Sequence, residues 1–394
     1  MQWDTLFVFL LLSAFISISA FQILVALSLI ALLVVSFRDK HRPAGILLSP
    51  LLLISIPTFL STAIFNTNYL KSANQSIYSF LYLEKDYVCA DNIQFRLINT
   101  ILIAMGLLTI PVIAYKYIAL KRNSPFWGGE FEIGHFYRLF TLAALSLFFY
   151  TKKKTYLVLG LLYSAVVFFS TKRSSALGLI VAVGLLLFFV RRYIERRVLC
   201  VILACILITS SIFVYVCVQS DPRFGTAYNL LSGKEKISDD TLNTITSWRW
   251  TLFQEGVRII SHDIEKGNVV NLLIGHGIKY YKKLGLKYPY SAYESVFVIS
   301  ELIERGVIGF GGIIFFYWRY FSFVFRFRVQ GREDFLLLSC LLFPSAHFGG
   351  MIFTDFWDAI VPLYLLLFGM VENHVLQRQK TSQSVSQAMV YGQS

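Results

Sequence analysis

The sequence predicts an all-α polytopic membrane protein, and two observations carry that prediction, composition and segment length. The chain has 394 residues, of which 56% are hydrophobic and 15% are charged, whereas soluble domains carry about 25% charged residues. Its apolar residues form stretches near the roughly 20 residues that a transmembrane helix requires. The net charge of +13 is typical of basic cytoplasmic loops in membrane proteins and does not indicate nucleic-acid binding.

The apolar stretches predict about eleven to twelve transmembrane helices. The first stretch, Thr5–Val35, is too long for one helix and is interrupted by serines, so we expect two short helices joined by a turn near Ser19. Further spans are predicted at Gly45–Phe65, Leu97–Tyr115, Leu139–Tyr150, Tyr156–Ser170, Ala176–Val190, Leu199–Val218, Val307–Val324, Phe335–Phe353 and Ile360–Val371.

These spans divide the chain into four regions. Transmembrane helices occupy 1–219, a large extramembrane loop with an amphipathic helix occupies 220–291, and a half-helix followed by further spans occupies 292–375. The half-helix is expected at Ala292–Ile303, entering the membrane from one side. The last region, 376–394, is predicted to be a cytoplasmic tail, and its Ser/Gln-rich end from Thr381 has the composition of a disordered segment.

The distribution of Lys and Arg predicts the orientation of the spans. The cluster Arg191–Arg197 is the strongest cytoplasmic marker, and Lys152–Lys154 and the basic residues after 325 support it. This places Lys172, Arg173 and the loop 220–291 on the outer side. The first third is ambiguous, because Lys116–Arg122 also has a cytoplasmic composition. Either the segment 66–96 contains a membrane-inserted piece, or one basic loop lies outside.

Lys172 and Arg173 are two cations between apolar helices, on the side where positive charge is disfavoured. Charges at such a depth are costly, and they are usually paired or functional. A snorkelling side chain at the head groups is the structural alternative, and it suits Lys172 better than Arg173. Arg173 is therefore a candidate functional residue.

Within the loop, Asp239–Asp263 has the periodicity of one amphipathic helix that Asp240 could cap. Arg249 lies between Trp248 and Trp250 on the edge of its apolar stripe. A solvated arginine stacked on an indole is the structural interpretation. The functional interpretation is a planar guanidinium that grips phosphate oxygens in a bidentate manner.

Two further side chains could move a proton. His276 lies in the turn Gly275-His276-Gly277, and imidazole titrates near neutral pH, although a histidine that simply faces solvent is an equal alternative. Glu294 begins the predicted half-helix, where a carboxylate is costly unless it is paired or functional. Its structural alternative is a favourable interaction with the helix dipole.

No cofactor or metal is predicted. The five cysteines lie mostly inside apolar segments without metal-ligand spacing, and carboxylates are not clustered along the chain. The sequence also lacks a P-loop, a dinucleotide-binding turn and a nucleophile elbow.

The order of these motifs resembles that of the O-antigen polymerase and O-antigen ligase superfamily, which includes Wzy-type polymerases and lipopolysaccharide ligases. The resemblance covers roughly residues 125–325. It rests on a Ser/Arg turn before a helix, a loop arginine motif, a glycine turn and a post-loop helix, which correspond to Ser170–Ser175, Thr246–Phe253, Leu273–Gly277 and Glu304–Gly309.

The resemblance implies a GT-C-like helical fold in the bacterial inner membrane, with the active site facing the periplasm. It implies a polymerase that transfers a growing glycan from undecaprenyl pyrophosphate onto another lipid-linked repeat unit. Its partners would be these lipid-linked oligosaccharides, membrane lipid, and a chain-length regulator and flippase of the same pathway. The donor is already activated, so neither ATP nor a nucleotide sugar is needed.

The resemblance also suggests roles for individual residues. Arg173 and Arg249 would hold the pyrophosphate, with Arg223 in reserve, and Arg249 would also stabilise charge on the leaving oxygen. Glu294 would be the general base, with His276 as the alternative. The aromatic side chains expected to stack on sugar or lipid are Trp248, Trp250 and Tyr293.

One departure separates the two branches of the superfamily. Ligases place a His-Asn pair where this chain has Ser295 and Val296, so the ligase's histidine is absent and Glu294 stands beside its place. This favours a polymerase over a ligase. A transporter or flippase for lipid-linked glycans is the alternative from another class, but such proteins are usually built from internal repeats, and none is evident here.

Overall fold

The computed structural model describes residues 3–40, 44–65, 67–170, 172–285, 296–351 and 357–391. Every regular element within these ranges is a helix. The α-helices are α1 (Trp3–Ile16), α2 (Ile18–Arg38), α3 (Leu48–Phe65), α4 (Tyr69–Ser76), α5 (Asn92–Leu120), α6 (Glu130–Thr151), α7 (Lys154–Phe169), α8 (Arg173–Val190), α9 (Arg196–Ser220), α10 (Pro222–Leu231), α11 (Asp239–Thr246), α12 (Arg249–Glu265), α13 (Val269–Ile274), α14 (Phe297–Arg326), α15 (Phe335–Met351) and α16 (Val361–Tyr391).

The all-α polytopic membrane fold is confirmed. Among the described helices, five are long and apolar enough to cross a membrane, and these are α2, α3, α5, α6 and α8. Two further apolar helices, α1 and α7, are shorter. A helix lies at the position of every predicted span, and the break between the first two falls at Ser17, whose side chain caps α2 by accepting from the Ala20 amide.

Helix α6 lies at the centre of the bundle and packs against α5, α7, α8 and α15. It begins at Glu130, nine residues before the predicted start at Leu139. The predicted start lies too far along the chain because His135 and Arg138 interrupt the apolar pattern. Both side chains are nevertheless buried, since neighbouring helices shield them from lipid. A membrane-spanning helix can therefore carry polar side chains where neighbouring helices separate them from the lipid.

The two ends of the bundle differ in composition. We call the end that carries residues 221–285 the loop end, and the opposite end, with Lys152–Lys154 and Arg191–Arg197, the basic end. Contacts between distant segments show at which of these two ends the other connections lie. The indole of Trp127 donates to the Ala14 carbonyl (3.0 Å) at the loop end, whereas the Cys89 amide donates to Asp4 (2.8 Å) at the basic end.

The ambiguous first third contains both of the predicted alternatives. Segment 66–96 does hold an inserted piece, α4 followed by a 3-10 helix (Ile77–Asp86), which returns to the basic end. There the buried Lys85 pairs with Glu372 of α16 (2.9 Å). The basic residues Lys116–Arg122 then fall at the loop end, because Lys172 pairs with Glu130 (3.1 Å) on the far side of that connection.

The predicted amphipathic helix at Asp239–Asp263 is wrong as one continuous element. Helices α11 and α12 replace it, and they are separated by Ser247 (φ 59°) and Trp248 (φ 68°), both in the left-handed region. Asn243 stabilises the break, because its carbonyl accepts from the Trp248 amide and its side chain accepts from the Thr251 amide (2.9 Å). The cap of α11 is Ser238, whose hydroxyl accepts from the Thr241 amide (3.1 Å), and not Asp240 as predicted.

The C-terminal part has two features that bear on the site. Helix α14 is kinked at Gly306 (φ 65°, ψ −173°), so Phe297–Arg305 forms a separate half-helix, as predicted for this region. Helix α16 continues to Tyr391, which differs from the disordered end expected after Thr381. That stretch contains no glycine or proline to end a helix.

Candidate functional site

Two arginines from distant parts of the chain meet at the loop end. Arg173, the first residue of α8, donates from Nη2 to Ser247 Oγ (3.2 Å) and from Nη1 to the Ile245 carbonyl (3.4 Å). Arg223, in the first turn of α10, donates from Nη1 to the same Ser247 Oγ (3.0 Å). We call Arg173, Arg223 and Ser247 the arginine–serine cluster. The left-handed backbone at Ser247 is what turns this hydroxyl out of the helical path.

Both guanidinium groups are held in place by further contacts. Arg223 donates from Nε to Asp221 Oδ1 (2.8 Å) and from Nη2 to Asp221 Oδ2 (2.5 Å), a bidentate arrangement. This hydrogen bonding lowers the pKa of Asp221 against the opposing effect of partial burial. Arg173 lies over the Phe224 ring, 5.2 Å from its centroid. The cluster is therefore a preorganised group of cations, which suits recognition of phosphate oxygens.

A cavity of about 380 Å³ adjoins the cluster. Its lining combines donors, acceptors and one large aromatic ring, contributed by Arg223, Asp240, Asn243, Thr244, Ser247 and Trp248. The Trp248 side chain is 54% exposed, so its ring is accessible to a ligand. Trp250 is placed differently, because its indole donates to Asp239 (2.7 Å) and its ring stacks on Phe253. Of the two tryptophans, Trp248 is the better placed for stacking.

A second cavity, of about 630 Å³, lies beside Lys172 at the same end of the bundle. Basic and acidic side chains line it together, including Lys116, Arg122, Glu130, Glu132 and Lys172. The pairing of Lys172 with Glu130 agrees with the structural interpretation of this lysine. Arg249, the first residue of α12, is partly buried two positions after Ser247.

His276 is buried within the loop and not open to solvent. Its Nε2 lies 2.6 Å from Asp263 Oδ2, and its ring stacks on Tyr280 with centroids 4.0 Å apart. Asp263 also accepts from the side chains of Asn268 and Asn271. Burial alone would raise the pKa of Asp263, but these three hydrogen bonds together lower it. This arrangement is typical of a histidine that stabilises a turn.

The turn around His276 is locked onto the kink of α14. The His276 and Gly277 amides donate to the carbonyls of Ile303 (2.7 Å) and Glu304 (3.0 Å). Gly275 has φ 78°, and a Cβ there would overlap the Glu304 and Arg305 backbone. Glycine is required at this position because no side chain fits between the two backbones. The loop is thereby docked on the half-helix that follows the candidate base.

The predicted site residues Glu294 and Tyr293 lie outside the described residues. Further along the half-helix, Glu301, Glu304 and Arg305 have structural roles. Arg305 donates to Glu301 and to Gln75 of α4 (2.6 Å), and Glu304 accepts from the Lys279 amide (2.7 Å).

Sequence reasoning missed three contributors to the site, Ser247, Asp221 and Asp263. Asp221 had a local signal, because an aspartate before a proline is typical of a helix start, and here it does cap α10. The roles of Ser247 and Asp263 depend on partners that are distant along the chain. No local pattern could have indicated them.

Comparison with known proteins gives two results. A sequence model of the family described as O-antigen ligase matches residues 155–314, a region that contains the arginine–serine cluster and the kink at Gly306. A protein of Aquifex aeolicus (strain VF5), described as an uncharacterized protein, is 36% identical over 388 residues, covering 91% of this chain and 94% of that protein. Through residues 155–314 the chain belongs to the O-antigen polymerase and ligase superfamily of membrane proteins.

Proposed function

We propose that the protein is a polymerase of lipid-linked oligosaccharides that transfers a growing glycan from undecaprenyl pyrophosphate onto a new lipid-linked repeat unit. The observation that carries the proposal is the convergence of Arg173 and Arg223 on Ser247, beside a cavity lined by Trp248. Paired guanidinium groups bind diphosphate oxygens, and an exposed indole stacks on a sugar ring. Both features are what a lipid-pyrophosphate-linked glycan requires.

The chemistry needs few groups from the protein. The acceptor hydroxyl oxygen forms a bond to the anomeric carbon of the donor glycan, and the bond from that carbon to the pyrophosphate oxygen breaks. The hydroxyl proton passes to a base, and undecaprenyl pyrophosphate leaves with the bonding electrons. Arg173 and Arg223, with Arg249 two residues after Ser247, stabilise the negative charge that develops on the leaving oxygen. The pyrophosphate supplies the driving force, so no cofactor enters the scheme.

Glu294 is the proposed general base. The alternative, His276, is only 4% exposed, and its Nε2 is already engaged with Asp263. Glu294 lies three residues before Phe297, the first residue of the half-helix, which is docked on the loop that bears the cluster. The described start of the half-helix lies at the same end of the bundle as the two arginines.

The protein is proposed to lie in the bacterial inner membrane with its loop end in the periplasm, since the short connections at the opposite end, including Lys152–Lys154 and Arg191–Arg197, carry the stronger clusters of Lys and Arg. In a cysteine-free background, Ser232→Cys in the loop should react with an impermeant thiol reagent added to intact cells with a permeabilised outer membrane. Arg196→Cys at the basic end should react only after lysis. The reverse pattern would place the cluster on the cytoplasmic face and contradict the proposal.

The decisive experiment is reconstitution of the purified protein with undecaprenyl-pyrophosphate-linked repeat units. A polymerase yields a ladder of longer lipid-linked glycans. A ligase instead transfers existing chains onto lipid A–core acceptor, and the absence of its histidine at Ser295 argues against that product. A flippase would yield neither product. Absence of the ladder with a repeat unit from the protein's own host would overturn the polymerase proposal.

A further inference from the structure

Three metal-ligating side chains lie together in a part of the bundle that the proposed reaction does not use. His135 comes from α6, His347 from α15, and Asp358 from the segment just before α16. One ligand atom from each lies within 4.8 Å of the other two. We propose that these three residues form a binding site for a divalent transition-metal ion of the zinc type.

The contact between His135 and Asp358 is what points to a ligand. His135 Nδ1 lies 2.8 Å from Asp358 Oδ2, and by strict hydrogen-bond geometry this buried nitrogen has no partner among the described residues. An imidazole nitrogen without a proton would place its lone pair against the carboxylate oxygen. A cation held by both atoms would satisfy each of them.

The ligand set indicates which class of metal fits. Two imidazoles and one carboxylate match Zn²⁺ and its neighbours in the first transition row, which bind neutral nitrogen ligands strongly. Ca²⁺ and Mg²⁺ depend on several oxygen ligands, whereas Asp358 supplies the one carboxylate of the cluster within the described part of the chain. Arg138, buried three residues after His135, donates to the Ala346 carbonyl (2.6 Å) and adds positive charge to this region. That charge opposes any cation, so binding at this position depends on the carboxylate of Asp358 and on direct bonds from both imidazoles.

The loop contains a matched counterexample. The pair His276–Asp263 has the same residue types and similar burial. His276 Nδ1 is likewise buried without a partner among the described residues, but here Nε2 is hydrogen-bonded to Asp263 Oδ2, and Asn268 and Asn271 donate to Asp263 Oδ1. Asp263 is therefore surrounded by one histidine and two amide donors, whereas Asp358 is surrounded by two histidines. Variants of this loop pair therefore provide controls for the loss of a buried His–Asp contact without the loss of a metal ligand.

A metal at this position would join α6, α15 and the start of α16 at the loop end. Gly134, which precedes His135, packs closely against Ser175 of α8, so the site lies directly beneath the first turn of the helix that begins with Arg173. The inference does not depend on the proposed reaction, because the metal is assigned a structural role and its readouts are binding and stability.

The test uses the full-length protein in detergent, stripped with a chelator and then equilibrated with ZnCl₂ or with CoCl₂. The wild type should retain about one Zn²⁺ ion per chain after desalting, and its melting temperature should rise with Zn²⁺ but not with Mg²⁺. With Co²⁺ it should show visible absorption bands typical of coordination by nitrogen ligands. Asp358→Asn and His347→Gln should each weaken Zn²⁺ binding by at least about tenfold. His276→Gln and Asp263→Asn should retain the metal.

Two results would overturn the proposal. In the first, the stripped wild type binds no Zn²⁺ after equilibration with ZnCl₂ and its melting temperature does not change. In the second, Zn²⁺ binding is unchanged in the Asp358→Asn, His347→Gln double variant. The measurement on the wild type decides the question even if a ligand variant fails to fold. Loss of metal binding in the loop controls would also contradict the assignment to this cluster.

Discussion

Arg173 and Arg305 show how one residue type takes two different roles at the same end of the molecule. Arg305 is completely buried, pairs with Glu301 one helical turn away and also donates to Gln75. Arg173 is only partly buried, donates to a hydroxyl and a carbonyl, and shares that hydroxyl with a second arginine. The comparison teaches that burial and the type of partner, and not the residue type, separate a structural cation from a candidate ligand-binding one.

The energetic consequences of the two settings differ as well. A buried ion pair contributes little net stability, but removal of one partner leaves an uncompensated charge in a low-dielectric interior. A partly exposed arginine that donates to neutral oxygens costs far less to remove, because water replaces the lost contacts. The two arginines should therefore respond to substitution in opposite ways, one through folding and the other through activity.

The largest effect is expected for Arg305→Ala. It leaves Glu301 buried without its partner, which should cost about 3–5 kcal/mol and greatly reduce the yield of folded protein. Size-exclusion profiles and thermal unfolding in detergent measure this. The double variant Glu301→Gln, Arg305→Met should recover part of the stability, since no unpaired charge remains. A normal melting temperature for Arg305→Ala would contradict the structural role.

The next effect is expected for Arg173→Ala, which should lower the transfer rate by about 10²–10³-fold with a normal melting temperature, because a cation for the leaving diphosphate is lost. Arg173→Lys should recover only part of the rate, since lysine cannot bind in a bidentate manner. The matched control is the neighbouring Lys172→Ala, which removes a partly exposed pair with Glu130 and should have little effect. Equal activity of Arg173→Ala and Lys172→Ala would contradict a functional role for Arg173.

Glu294→Gln should slow transfer by about 10²-fold or more per folded molecule, because the amide cannot accept the acceptor's proton. His276→Ala should behave as a structural variant, with less folded protein and near-normal turnover, because Asp263 loses its partner. The transfer rate normalised to folded protein distinguishes the two. Full activity of Glu294→Gln beside an inactive but folded His276→Ala would make His276 the base.

The smallest effect is expected for Ser247→Ala. The substitution removes the hydroxyl that both arginines share, and one hydrogen bond of this kind is worth about 0.5–1.5 kcal/mol, or roughly two- to tenfold in rate. The effect should appear mainly as a higher KM for the lipid-linked donor, because the guanidinium groups remain but are less well oriented. An exposed serine of the same loop, Ser232, provides the control substitution to alanine. Identical kinetics for both variants would show that Ser247 does not position the arginines.

Much of the architecture could be predicted, and the errors have identifiable causes. The positions of the spans followed from apolar length, because a helix in lipid must satisfy its backbone internally whatever it packs against. The continuous amphipathic helix was wrong because periodicity is insensitive to two left-handed residues, and the break at Ser247 and Trp248 shifts the pattern only slightly. The start of α6 was misplaced because burial of His135 and Arg138 depends on helices that follow later in the chain.

The candidate site divides in the same way. Arg173, Arg249 and Trp248 could be proposed from local context, since a cation or an exposed indole beside an apolar segment is unusual wherever the chain folds. The pairing of Arg173 with Arg223 through Ser247, and the burial of His276 against Asp263, could not be proposed. These contacts join segments that the sequence separates by a helix or more.

Composition and apolar length alone therefore established a polytopic helical protein, the positions of its spans and the excess of positive charge at one end, because these properties depend on how each segment partitions between water and lipid. Tertiary packing decided which cations are buried, which are held beside a cavity, and which histidines meet a carboxylate. The reason is that burial and hydrogen bonding are properties of pairs of segments. The environment of Arg173 and of His135 exists only once α6, α8, α15 and the loop have come together.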